Sequence, residues 1–163
     1  MTNAHTICRP KKCDLSTDGA ANLPVRIGYY DAIAALRACN AIQPENLPAG
    51  VLTHINVGYE GISESGEITD QNGWTMARVT RLKRRYDGLR VNVVIGGWDF
   101  NDPRQQPRTA ETMGRWSAMV ESVENRDKFV SSLVNYMHKY SLNGVDIGEY
   151  SSPLFFSWLV LCP

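Results

Sequence analysis

The run from Leu89 to Ile95 constrains this chain more than any other stretch. It is apolar except at Arg90 and Asn92, and a strand without alternation has to be covered on both faces. Covering a sheet that way takes helices, supplied by crossover connections between parallel strands. The other parts are present. Val25 to Tyr30 reads as a first strand, and Leu52 to Tyr59, bounded by Gly50 and Gly61, as a second. Val145-Asp146-Ile147 starts a fourth. A short helical piece is expected over Ala32 to Cys39, and Met76, Val79, Leu82 and Tyr86 mark one helical stripe ended by Asp87-Gly88. After a loop with Pro103 and Pro107 come a helix around Thr112 to Glu121 and a longer one. The longer helix carries Phe129, Val130, Leu133, Val134, Met137 and Tyr140 on one expected face and is broken by Asn143-Gly144.

Strand and helix in alternation give an α/β fold, a parallel sheet with crossover helices. With 163 residues, about four strands cannot close an eight-stranded (β/α)8 barrel of TIM type, which takes about 250 residues. Periodicity leaves two architectures open: part of such a barrel, or a complete doubly wound open sheet. The organisation expected is an irregular, Cys-containing lead-in over 1–24, the α/β unit over 25–150, and an apolar tail over 151–163.

Charge narrows the partners. Lys plus Arg is 17 and Asp plus Glu is 17, so no overall field recruits nucleic acid or an anionic membrane. The basic run Arg78, Arg81, Lys83, Arg84 and Arg85 suits the C-terminal end of a helix dipole and reads as a solvated face. Met1 is followed by no apolar secretory segment, and Leu154 to Cys162 falls far short of the ~20 residues of a membrane span. Cys8 and Cys13 admit either a small disulfide loop or free thiols, while Cys39 and Cys162 have no neighbour in sequence. His5, His54 and His138 are scattered, so neither zinc nor a catalytic triad is indicated. Gly96-Gly97 lacks the Lys-Ser/Thr or Gly-x-Gly-x-x-Gly context of a phosphate loop, and no Gly-x-Ser-x-Gly elbow occurs. No cofactor is implied.

The chemistry gathers at the strand ends. Tyr29 and Tyr30, Tyr59, and Gly97-Trp98 close three strands, and a fourth carries Asp146. The C-terminal edge of a parallel sheet is where ligands bind. Rings around one carboxylate suit a sugar, whose apolar face stacks on aromatics, although each ring taken singly is ordinary core filling.

These residues also resemble a known family. Arg26-Ile27-Gly28-Tyr29-Tyr30, Leu52-Thr53-His54-Ile55-Asn56-Val57-Gly58-Tyr59, Gly88 to Trp98 with its Gly-Gly-Trp end, and Leu142-Asn143-Gly144-Val145-Asp146-Ile147 resemble, in order, the first four strands of glycoside hydrolase family 18 chitinases. Asn125-Arg126 and Phe129 are similar to the fungal, killer-toxin-like branch. The resemblance implies a β/α barrel that hydrolyses β-1,4-linked N-acetylglucosamine with retention, the substrate's own acetamido carbonyl acting as nucleophile. It implies that Tyr29, Tyr59, Gly97 and Trp98 line the central sugar subsite and that Asp146 orients the acetamido group. Its ligand would be chitin or an N-acetylglucosamine oligosaccharide, and its location extracellular or cell wall.

The signature departs from the family's Asp-Gly-x-Asp-x-Asp-Trp-Glu-Tyr. Asn143 replaces the first Asp, Gly148 the third, and Tyr150 stands where the acid Glu belongs. Strand alternation puts Asp146, Gly148 and Tyr150 on the barrel interior and Glu149 outside. Glu149 is therefore a catalytic acid by alignment that would need a bulge to turn inward. Ser151 to Pro163 resembles no part of the barrel and reads as translated intron, an uncharged, aggregation-prone segment beside an open sheet edge. Three functions follow: a chitinase with little or no catalysis in this chain, a non-catalytic chitin-binding relative, or a non-functional remnant.

Overall fold

The computed structural model describes residues 25–101, 111–148 and 158–161. Four strands lie parallel and side by side in chain order: β1 (Ile27–Asp31), β2 (His54–Glu60), β3 (Arg90–Gly96) and β4 (Gly144–Gly148). A doubly wound sheet reverses its order at a switch point; here the order never reverses, as in the wall of a β/α barrel. The expected parallel α/β sheet with crossover helices is therefore present, and the barrel-type winding resolves the two architectures.

Alternation along the strands, broken on β2 where the register shifts between Val57 and Glu60, builds two faces. Tyr30, Ile55, Val57, Val91, Val93, Ile95 and Val145 point to the helices and share one buried core with them. From α1 (Gly73–Arg81) and the 3-10 turn Leu82–Arg84 come Met76, Val79 and Leu82. From α3 (Arg115–Glu121) and α4 (Val123–Tyr140) come Trp116, Met119, Phe129, Leu133, Tyr136 and Met137. A short helix, α2 (Trp98–Asn101), follows β3 directly. The opposite face of the sheet carries Tyr29, Asn56, Asn92 and Asp146.

The chain ends of α4 are fixed by local chemistry. Ser122 caps its start, accepting from Asn125 N at 3.1 Å, and Ser141 takes the left-handed conformation at its end, φ 53°. Asn143 then leads into β4: its Oδ1 accepts from Lys83 Nζ at 2.7 Å and from Val91 N at 3.1 Å. Lys83 also donates to Ser141 O at 2.7 Å, and burial holds its ammonium below the usual lysine range. The basic run is thus not uniformly a solvated face. Lys83 ties α1's end to β4, and Arg78 pairs with Glu45 while stacking over Trp74.

Two further expectations need correction, and one bond is new. Val130 and Val134 are exposed, at 53% and 44%, and Tyr136 takes their place in the core; the buried stripe follows Phe129, Leu133, Tyr136 and Met137, and the two valines lie about a quarter of a turn off its centre. Residues 158–161 of the tail form β5 (Trp158–Leu161), which pairs antiparallel with β4, so that edge is paired and not open. Cys39 is disulfide-bonded despite having no cysteine near it in sequence. Cys8, Cys13, Cys162 and the Pro103–Pro107 loop lie outside the described residues.

Candidate carbohydrate site

All four strands deliver side chains to their C-terminal edge. Asp146, buried on β4, accepts from Tyr29 Oη at 2.5 Å and from Asn56 Nδ2 at 2.9 Å, both on Oδ2. Asn56 Oδ1 in turn accepts from Asn92 Nδ2 at 2.9 Å. Asn56 and Asn92 are register partners on β2 and β3, so the chain Asn92–Asn56–Asp146–Tyr29 crosses the sheet. Among the described residues Asp146 Oδ1 accepts no hydrogen bond, and the sealed side-chain polar atom without a partner there is Trp116 Nε1. The Tyr29 phenol is held above its ordinary pKa first by its hydrogen bond to Asp146, then by burial and the carboxylate's charge. It therefore stays protonated and keeps donating.

Beside this pair lies a cleft of about 380 Å³ lined by Asp31, Ile33, Tyr59, Gln71, Asn72, Gly96, Gly97, Trp98 and Asp99. Tyr59, Gly97 and Trp98 are thereby brought together as expected; Tyr29 and Asp146 adjoin the cleft and do not line it. The rings are open to a ligand, with Tyr29 63%, Tyr59 48% and Trp98 43% exposed. The Gly58–Tyr59 peptide is cis. Gly97 is required by geometry: its φ is +90°, and a Cβ there would lie 2.8 Å from Tyr59 Cδ1.

On β4 the expected alternation holds through Gly148. Val145 packs in the helix-facing core and Ile147 against it, whereas Asp146 faces Tyr29 and Asn56. Gly148 follows Asp146 on the interior side and supplies only backbone, its carbonyl accepting from Gly97 N at 2.7 Å. Glu149 and Tyr150 lie outside the described residues. Sequence reasoning passed over Asn56, Gln71, Asn72 and the buried Glu60; the polar interruptions of apolar strands, Asn56 and Asn92, were the signal for the first.

No helix among the described residues is long and apolar enough to cross a membrane, and no three His, Cys, Asp or Glu side chains there cluster as metal ligands.

Several known proteins are similar to this chain. "Putative chitinase 1" of Margaritifera margaritifera is 26% identical over 137 residues, covering 80% of this chain and 26% of that protein. The crystal structure of Ostrinia furnacalis Group II chitinase catalytic domain 2 is 25% identical with a TM-score of 0.63, over 76% of this chain and 31% of that one. Human YKL-39, described as a pseudo-chitinase with retained chitooligosaccharide binding, shares the fold at a TM-score of 0.58 and 19% identity, over 74% and 31%. The chain spans about a quarter to a third of these relatives. The family model of glycosyl hydrolases family 18 matches residues 25–152. With that match, and with the ordered strands and edge residues it covers, this chain belongs to glycosyl hydrolases family 18.

Proposed function

We propose that the chain is a chitinase-type domain that binds N-acetylglucosamine oligosaccharides at the Tyr59–Trp98 cleft and hydrolyses them weakly or not at all. The observation that carries the reading is Asp146: one carboxylate oxygen is fixed by Tyr29 and Asn56, and the other accepts no hydrogen bond among the described residues, beside an aromatic cleft. An acetamido N–H is a ligand group such an oxygen would take, while Tyr59 and Trp98 stack the ring and Gly97 lets it approach. Holding the amide this way would aim its carbonyl oxygen at the sugar's C1. Attack there forms the O–C1 bond as the glycosidic C1–O bond breaks, and the leaving oxygen needs a proton from a side-chain acid. Glu149 is the aligned candidate; it lies outside the described residues, and the parity of the sequence alone predicts that it would point away from the interior. Gly148 brings no carboxylate to support Asp146. Binding therefore outlasts turnover in this chain, which favours the non-catalytic chitin-binding alternative over the remnant.

Two narrower points belong to the same proposal. Kinship with the fungal, killer-toxin-like branch rests on Asn125, Arg126 and Phe129, which here join α3 to α4: Asn125 Nδ2 donates to Ala118 O at 2.7 Å, Arg126 Nη1 to Val120 O at 2.6 Å, and Phe129 is buried. An extracellular setting is supported by the Cys39 disulfide.

The test is hydrolysis of a fluorogenic N-acetylglucosamine oligomer, and chitin retention, by folded protein beside Trp98→Ala and Glu149→Gln. Retention lost in Trp98→Ala, with negligible turnover, is expected. Equal retention by Trp98→Ala would overturn the cleft assignment. Turnover abolished by Glu149→Gln would show that Glu149 reaches the substrate.

A further inference from the structure

A second buried carboxylate at the end of β2 has no part in the chemistry above. Glu60 is 1% exposed and accepts four hydrogen bonds. Oε2 takes Thr69 Oγ1 at 2.7 Å and Gln71 N at 3.0 Å; Oε1 takes Asn72 N at 2.9 Å and Tyr136 Oη at 3.1 Å. No cation bridges to it among the described residues. A buried charge without a counter-ion costs stability that its donors offset, and an apolar side chain would fill the space at less cost. Stability alone is thus a poor reason for this group.

Its donors say what it does. Three of the four come from residues 69–72, the turn that leads into α1, and Gln71 and Asn72 are two of the residues that line the cleft. Asn72 Nδ2 also donates to Tyr59 O at 2.9 Å, so the turn and the Tyr59 platform are one connected wall. Thr69 is held twice, since its Oγ1 also accepts from Gly61 N at 2.8 Å. On the far side Tyr136 anchors the carboxylate to α4. Burial, then the charge of Glu60, pushes that phenol's pKa well up, which keeps it a donor at every working pH.

We infer that Glu60 is a positioning residue for oligosaccharide binding: its carboxylate, anchored on α4, sets the 69–72 turn and through Asn72 the Tyr59 wall of the cleft. The inference rests on the carbohydrate reading of that cleft. It predicts that Glu60 acts on affinity by way of Asn72 and not merely on folding.

The experiment is a tryptophan-fluorescence titration of the full chain with N-acetylchitohexaose, using wild type, Trp98→Ala, Glu60→Gln, Asn72→Ala and the Glu60→Gln/Asn72→Ala pair. Glu60→Gln keeps the volume but turns one oxygen into an amide that faces donors, and about a tenfold loss of affinity is expected. Asn72→Ala should weaken binding too, and the pair should lose no more than the worse single change, because both act through one contact. A loss of fold alone would not produce that coupling. If Glu60→Gln does not fold, Thr69→Val replaces it in the same cycle; it keeps the carboxylate and removes one of its donors together with the acceptor of Gly61 N, with about a threefold, non-additive loss expected. Additive effects, or wild-type affinity in the folded variant, would overturn the role of Glu60 while leaving the cleft reading in place. Absence of binding by wild type would overturn the cleft reading, and this inference with it.

Discussion

Replacing Asp146 by Asn and by Ala separates its structural from its binding role. The carboxylate's two hydrogen bonds fall on one oxygen, Oδ2, and its other oxygen is unused. An asparagine can therefore put its carbonyl oxygen where Oδ2 lies, keep both donors satisfied, and leave its NH2 at the open position. Neutral hydrogen bonds are weaker than charged ones, and the stability cost should stay within about 1 kcal/mol. Alanine is different. Tyr29 is 63% exposed and its hydroxyl can rehydrate, but Asn56, 1% exposed, loses its acceptor. Leaving that donor unsatisfied costs about 1–3 kcal/mol, or roughly a 3–9 °C fall in Tm for a chain of this size. Binding should respond in the opposite order of subtlety: in Asp146→Asn a donor would meet the ligand's N–H, so oligosaccharide affinity should fall about 5- to 150-fold with the fold intact. Urea and thermal unfolding, with titration of N-acetylchitohexaose, measure both. An Asn variant as unstable as the Ala variant, or one that binds like wild type, would refute the reasoning.

Two further outcomes follow from the same site. Gly97→Ala should lose about 1–2 kcal/mol because its φ of +90° is left-handed, and it should weaken oligosaccharide binding as the new Cβ drives Tyr59 from its place; denaturation with a parallel binding titration checks both. Tyr29 has a folded pKa raised above 10.0, chiefly by its bond to Asp146. The contribution of that pair to stability is thus full below pH 10 and is lost as pH rises through the folded value. Phenolate absorbance should show one tyrosine of wild type titrating later than its counterpart in Asp146→Asn.

Much of the fold was legible because the strands state it. The apolar run ending at Ile95 demanded cover on both faces, and the Met76–Val79–Leu82 stripe showed which side supplies it. Four strand ends pointed at one edge, and Tyr59, Gly97 and Trp98 do meet there. What sequence missed was long-range or geometric. Nothing local says that Tyr29 donates to a carboxylate 117 residues away, or that Cys39 is disulfide-bonded. Val130 and Val134 were assigned to the core because hydrophobicity alone does not tell which of two adjacent helix stripes is covered. Glu60 was invisible because a charged residue at a strand end ordinarily points to water; its burial is decided by the turn that folds back over it.

The two departures on β4 differ in kind, and the backbone shows why. Asn143 stands at the N-terminal end of the strand, where its amide oxygen accepts from Lys83 and Val91. A neutral acceptor is sufficient for those two bonds, so this substitution leaves the sheet intact. Gly148 stands at the other end, where the reaction would occur. A Cβ there would lie 3.2 Å from Gly97 N and 3.5 Å from Gly97 Cα, and the Gly148 carbonyl already holds Gly97 N at 2.7 Å. The tips of β3 and β4 lie close enough that a side chain at 148 needs the Gly97 backbone to give by a few tenths of an ångström. Restoring a carboxylate by Gly148→Asp must therefore shift the Gly97 backbone slightly and strain its bond to the Gly148 carbonyl, at a cost of about 1 kcal/mol. The expected result is a less stable protein with no gain in hydrolysis of a fluorogenic oligomer, measured beside urea unfolding. A stable, faster Gly148→Asp variant would mean that the missing carboxylate alone limits turnover and that the tight approach of the strand tips does not.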